Sequence, residues 1–176
     1  MAEGVARGRE VELVTDRLVL RPWRVSEAAV QRGMWLERDP RVPAHRRIDA
    51  DGRPTVADFE EALRATRPSS LGLLAIERKD AHGDAIGYCG LIESGRAPRE
   101  PELAFELLRR HWGHGYATEA SWAVLDWARG SGYERLWAAV WDWNTASRHV
   151  LEKLGFTEAA REPGMQGTNL VTTRRL

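Results

Sequence analysis

The chain is 176 residues long, with 43% hydrophobic and 30% charged residues, the proportions of one soluble globular domain with a sizeable core. Its 26 basic and 26 acidic residues cancel to a formal net charge of zero, which removes the electrostatic case for a nucleic-acid or anionic-membrane binder. No apolar run is long enough to span a bilayer, the N-terminus lacks a secretory pattern, and the single cysteine, Cys89, excludes an intrachain disulfide, so a cytoplasmic protein is expected.

Residues 1–12, with Gly4 and Gly8 among many charges, read as a flexible N-terminus, leaving 13–176 as one domain. Leu13–Pro22, with Leu18, Val19 and Leu20, reads as a first strand. Ser26 is the expected cap of a helix whose apolar face is Ala29, Val30, Met34 and Leu36. Arg38–Pro54, rich in proline and arginine, reads as an irregular connection, and Thr55 caps a second helix that Pro68-Ser69-Ser70 stops. Leu71–Arg78 and Ala85–Glu93 form a hairpin around a polar turn, and Glu102–Leu108 is the fourth strand. A helix over Tyr116–Arg129, a strand over Arg135–Val140, a helix over Thr145–Leu154 capped by Asn144, and strands over Phe156–Arg161 and Thr168–Arg174 complete the chain. The order β-α-α-β-β-β-α-β-α-β-β predicts an α/β (α+β) domain on a mixed sheet. Eight tryptophans stand against three tyrosines and three phenylalanines. Core packing is the expectation for each, with a ligand cleft or the interface of a homodimer as alternatives.

Glu102-Leu-Ala-Phe-Glu-Leu-Leu-Arg-Arg-His-Trp-Gly-His-Gly-Tyr-Ala-Thr-Glu-Ala120 carries the chemistry. A strand enters a turn holding Gly113 and Gly115, and a helix starts at Tyr116. Such a junction gathers free backbone N–H groups at the positive end of a helix dipole, which suits a phosphate. No Gly-Lys-Ser/Thr follows, and Thr118 stands where a third glycine would complete a dinucleotide fingerprint, so nucleotide-phosphate transfer is a poor reading.

Arg110-His-Trp-Gly-His-Gly115 fits Gln/Arg-x-x-Gly-x-Gly/Ala and resembles the acyl-CoA signature of the GNAT superfamily of N-acetyltransferases. Tyr116-Ala-Thr-Glu-Ala120, Thr15-Asp-Arg-Leu-Val-Leu-Arg-Pro22 and Asn144-Thr-Ala-Ser-Arg-His-Val-Leu-Glu-Lys-Leu-Gly-Phe156 are similar to segments of its ribosomal-protein alanine acetyltransferase (Rim-type) branch, over roughly residues 15 to 160. The resemblance implies a mostly antiparallel sheet splayed at the fourth strand, with acetyl-CoA as cosubstrate, no metal and a primary amine as acceptor. Pantetheine would contact Leu107 and Leu108. Pyrophosphate would lie against the backbone of Arg110, Gly113, His114, Gly115, Tyr116, Ala117 and Thr118, and Asn144 and Ser147 would approach the pantetheine.

The same resemblance makes Glu102 the first choice of general base. Glu102 and Glu106 share strand parity, and a pair of carboxylates on one face would raise the pKa of one of them. Ser147 is the candidate donor to the departing thiolate, because Leu151 stands where many relatives carry a tyrosine. That replacement keeps a non-catalytic acyl-CoA sensor as the alternative function. His111 and His114 lack a partner that would complete a metal site. Cys89 reads as a small buried residue. Arg38, Arg41, Arg46, Arg47 and Arg53 read as a solvated loop, with a rim for an acidic acceptor as the other reading. The acceptor itself is not legible.

Overall fold

A computed structural model describes residues 11–66 and 72–176. Leu13–Val14 (β1) and Leu18–Arg21 (β2) precede two helices, Ala28–Leu36 (α1) and Val56–Ala65 (α2). Strands Gly72–Arg78 (β3), Ala85–Ile92 (β4) and Glu102–Leu107 (β5) lead into helix Tyr116–Gly130 (α3). Strand Arg135–Trp141 (β6), helix Thr145–Lys153 (α4) and strands Thr157–Gly164 (β7) and Gly167–Arg175 (β8) follow. The eight strands form one open sheet in the order β1-β2-β3-β4-β5-β6-β8-β7. Every neighbouring pair is antiparallel except β5 and β6.

The expected α/β architecture on a mixed sheet is present, with three local corrections. The first strand is broken in two, because the Thr15 hydroxyl accepts from the Leu18 N–H (2.9 Å) and the Thr15 N–H donates to the Leu18 carbonyl (3.0 Å). This closes a turn, and the strand of Glu102 becomes the fifth. Ser26 does not cap the first helix. Its start is a 3-10 turn over Val25–Glu27, where the Arg24 N–H donates to the Glu27 carboxylate (2.9 Å) that Arg21 draws inward. The tryptophans are not core residues, since all eight are half-buried or exposed. Several instead lie under arginines: Trp35 under Arg38 (4.4 Å), Trp143 under Arg41 (4.2 Å) and Trp122 under Arg174 (4.6 Å). The expected stop at Pro68-Ser69-Ser70 and the start of the third strand at Leu71 lie outside the described residues.

Thr55 caps α2 as expected, in a reciprocal box with Asp58. β4 is buried at nearly every residue, so both its faces are covered, and α1 and α3 both pack on it. Leu18, Leu20, Ile76, Ile86, Leu125 and Leu136 are fully buried at the centre. A second buried cluster is ionic: the Arg21 guanidinium donates to both Glu27 oxygens and to Glu77, with all three residues under 9% exposed. Each charge there has a hydrogen-bonded counter-charge, the condition for carrying ions inside a core.

Candidate active site

β5 and β6 touch only where they begin. Their one register pair is Glu102 with Trp137, supported by the Trp137 N–H donating to the Pro101 carbonyl (2.9 Å). Beyond it the two parallel strands diverge, and the gap opens into a cleft of about 910 Å³. Strand parity turns the Ala139 and Trp141 N–H groups, like that of Trp137, towards this gap rather than towards β8. Ala138, Val140, Val150 and Leu151 give it an apolar lining. The slot suits an extended chain that offers both methylene and amide groups.

At the far end of β5, roughly 17 Å from Glu102 at about 3.3 Å per residue, a 3-10 turn over Arg109–His111 leads to the glycine pair. Gly113 and Gly115 have φ of 77° and 79°, left-handed values that side chains with a Cβ resist. Gly115 is the N-cap of α3, and no side chain caps that end. The N–H groups of Gly113 to Thr118 have no acceptor among the described residues, and Gly113 and Gly115 to Thr118 line the cleft beside the positive end of a 15-residue helix. An anion such as a pyrophosphate fits this bed. His111 reinforces it: the imidazole is buried, its Nε2 lacks a hydrogen-bond partner, and burial pushes its pKa down so that the ring stays neutral.

Glu102, Ala104 and Glu106 share a face of β5 and line the cleft, as the parity predicts. The two carboxylates nevertheless do not act as a pair. Arg38, itself buried on α1's C-terminal side, forks onto both Glu106 oxygens (2.8 and 2.5 Å), and the Tyr88 hydroxyl donates to Glu106 as well (3.1 Å). Glu106 is thus held in a structural network. Glu102 has no such cation: burial pushes its pKa up, the Glu162 carboxylate adds to the shift, and the Ala139 backbone with Arg96 and Arg46 partly offsets it. The rise comes from desolvation, not from Glu106. A carboxyl group in this state is suited to taking a proton near neutral pH.

α4 starts beside the same gap. The Asn144 Oδ1 accepts from the Ser147 N–H (3.2 Å) as an N-cap, which leaves the Asn144 amide N–H groups and the Ser147 hydroxyl facing the cleft. Leu151 is buried in the wall one turn on. Leu107, Gly115, Tyr116, Ala117 and Thr118 also line the cleft, but Leu108, Arg110 and His114 do not. The Leu108 N–H donates to the Ile86 carbonyl and its carbonyl accepts from the His111 N–H, so its backbone is already spent. The Leu107 carbonyl is likewise taken by the Trp112 indole (2.8 Å). His114 is exposed and stacks on Tyr116 (5.5 Å). Among the described residues no cluster of His, Cys, Asp or Glu is placed to hold a metal ion, and no helix is long and apolar enough to cross a membrane. The Cys89 thiol is fully buried and pushed up to about 12, principally by that burial.

Arg38 and Tyr88 were not legible as site residues. Neither belongs to a motif, and their meeting with Glu106 depends on the β4–β5 register, which pairs Tyr88 with Glu106.

Comparisons with known proteins agree with this geometry. The family model described as an acetyltransferase (GNAT) domain matches residues 17–157. The Bacillus subtilis protein YkkB is 32% identical over 148 residues, covering 83% of this chain and 85% of its own. The uncharacterized N-acetyltransferase p20 of Bacillus licheniformis is 29% identical over 154 residues, covering 82% of this chain and 81% of its own. The Mycobacterium smegmatis RimJ structure, in complex with CoA-disulfide, shares the fold at a TM-score of 0.71 and 20% identity, covering 94% of this chain and 86% of that one. An anion bed, a splayed strand pair and a match spanning most of the sequence converge on one conclusion: the chain is an acyltransferase of the GNAT acetyltransferase family.

Proposed function

We propose that the protein is an acetyl-CoA-dependent N-acetyltransferase that transfers the acetyl group directly to a primary amine. The observation that carries this reading is the continuous path from the free N–H groups of Gly113–Thr118, along the β5–β6 gap, to a half-buried Glu102 without a cation partner among the described residues. GNAT-fold acetyltransferases use acetyl-CoA, and the related RimJ structure holds a CoA species, which supports the cosubstrate. The pyrophosphate would rest on the N–H bed and the pantetheine would lie in the gap against the Ala139 and Trp141 backbone.

The acceptor arrives as an ammonium and must lose a proton before it can attack. Glu102 takes that proton, directly or through one water. The nitrogen lone pair then attacks the thioester carbonyl to give a zwitterionic tetrahedral intermediate, whose nitrogen loses its second proton to solvent as the intermediate collapses and the C–S bond breaks. The sulfur leaves with the bonding pair and receives a proton from the Ser147 hydroxyl, which regains one from solvent. The products are the amide and free CoA.

A non-catalytic acyl-CoA sensor is the second reading, favoured by the apolar Leu151 in the α4 wall, a side chain that has no proton to give the sulfur. Incubation with acetyl-CoA and a panel of amines, read by thiol release, separates the two. Acetylated product and a rate that collapses in Glu102→Gln support transfer. Tight CoA binding with no product from any amine supports the sensor.

A further inference from the structure

The loop between α1 and α2 carries five arginines, and the structure gives the cleft-facing ones different employments. Arg38 is committed to Glu106 and to the Arg46 carbonyl (2.7 Å). Arg41 is committed to Asp39 (2.8 Å) and lies over the Trp143 ring. Arg46 lines the same cleft as Glu102, is exposed, and among the described residues has neither an ion pair nor a side-chain hydrogen bond. Its main chain, by contrast, is fixed: it sits in a 3-10 turn over Ala44–Arg46 whose carbonyl the buried Arg38 holds. A cation without a counter-charge among the described residues is therefore anchored on the cleft wall, and its charge works against the burial-driven pKa rise of both Glu102 and the Tyr88 hydroxyl. Glu102 itself lacks a cation within ion-pair distance.

These two charges, one acidic and one basic, line one cleft without an ion-pair partner among the described residues. We infer that the acceptor is an amine that also carries an anionic group, with the ammonium directed to Glu102 and the carboxylate or phosphate to the Arg46 guanidinium. This inference rests on the acetyl-transfer reading and narrows its substrate class. A guanidinium grips such oxygens through two parallel N–H donors, whereas a polyamine would bring a second positive charge against Arg46.

The test uses matched acceptors that differ only in the anionic group: phenylalanine against phenylalaninamide, and the dipeptide amides Ala-Asp against Ala-Lys, with spermidine as the polycation. The first pair probes an anion on the reacting molecule itself, the second an anion on a neighbouring residue of a peptide. The wild-type protein should prefer the anionic member of at least one pair by about tenfold or more in kcat/KM, the scale of one charge-assisted contact. Arg46→Ala should erase that ratio and Arg46→Glu should invert it towards Ala-Lys and spermidine. The Arg46 side chain is exposed and only its main chain is structural, so both variants should fold, with circular dichroism as the check. A wild-type preference for the amide, for Ala-Lys or for spermidine overturns the inference while leaving acetyl transfer intact. So does an Arg46→Ala loss that is equal for both members of a pair. If no acceptor turns over although CoA binds, acetyl transfer itself fails. Calorimetry of phenylalanine and Ala-Asp with the CoA-loaded protein then decides: binding lost in Arg46→Ala sustains the anion site, and absence of binding overturns it.

Discussion

Arg17 and Glu119 are joined across 102 residues of sequence by two hydrogen bonds, from the Arg17 Nε (2.7 Å) and from its main-chain N–H (2.9 Å). Thr15 donates a third to the same carboxylate (2.6 Å), and Arg17 also donates to the His114 carbonyl (3.0 Å) inside the glycine turn. The β1–β2 turn therefore braces the first turn of α3 and the loop ahead of it. Glu119→Ala should cost about 1–3 kcal/mol of stability, the usual range for orphaning such partners, and should weaken CoA binding although Glu119 does not line the cleft. Urea unfolding and CoA titration check both; unchanged CoA affinity would show that the brace does not shape the turn.

The same carboxylate gives a pH signature. Burial pushes its pKa up, but the bonds from Thr15 and Arg17 outweigh that and leave it below the ordinary value. A depressed folded-state pKa means stability that is present above the ordinary carboxylate pKa and lost as pH falls through the depressed one. The stability gap between wild type and Glu119→Gln should therefore be widest at neutral pH and shrink on acidification below pH about 4. A gap independent of pH would contradict it.

Glu102 has the opposite sign. Because desolvation raises its pKa, the acid limb of the kcat/KM profile should lie above the ordinary carboxylate range, and Glu102→Gln should remove it with a loss of roughly 10²–10⁴-fold in rate. Folding stability carries the complementary effect: the raised group favours the fold at low pH and works against it once ionised. Glu102→Gln should then be more stable than wild type at neutral pH. A slower enzyme that is also less stable would not fit a base strained by burial.

Gly113→Val separates binding from folding. A Cβ at Gly113 would meet no protein atom within 4 Å, so the cost to the fold is confined to the left-handed φ, about 1–2 kcal/mol. The branched side chain would nevertheless sit on the anion bed. CoA affinity should fall by at least tenfold while the circular dichroism spectrum is retained. Equal CoA affinity in a folded variant would move the pyrophosphate elsewhere.

The Arg21–Glu27–Glu77 cluster makes a contrasting prediction. Removing Arg21 leaves two carboxylates buried without their main counter-charge, and Arg21→Ala should destabilise by about 3–5 kcal/mol. Arg21 and its two partners stand outside the cleft wall, so the KM of whatever fraction folds should be unchanged. A large KM shift with little loss of stability would reverse the assignment.

The features legible in the sequence are those whose cause is local. Glycine at 113 and 115 ahead of an amphipathic helix, Asn144 before α4 and Thr55 three residues before Asp58 each declare a backbone event within one turn of chain. The break at Thr15 was also local but was masked by the apolar run beside it. The Arg38–Glu106–Tyr88 network was not legible because it joins residues 68 and 18 positions apart through strand register and loop placement. The tryptophans misled for a related reason: an indole's large area predicts burial, whereas here arginines cover many of the rings from outside.

The seam between β5 and β6 has a consequence for how the molecule breathes. Strands β1–β5 and β6–β8 are each stitched by antiparallel ladders of several pairs, yet one register pair joins the two blocks. Ladders of such unequal strength open as separate cooperative units. In native-state hydrogen exchange, the amides along the inner edge of β6 should trade protons with solvent well before those of β4. A ligand lying in the gap would supply the missing rungs, so that the two blocks then open together or not at all.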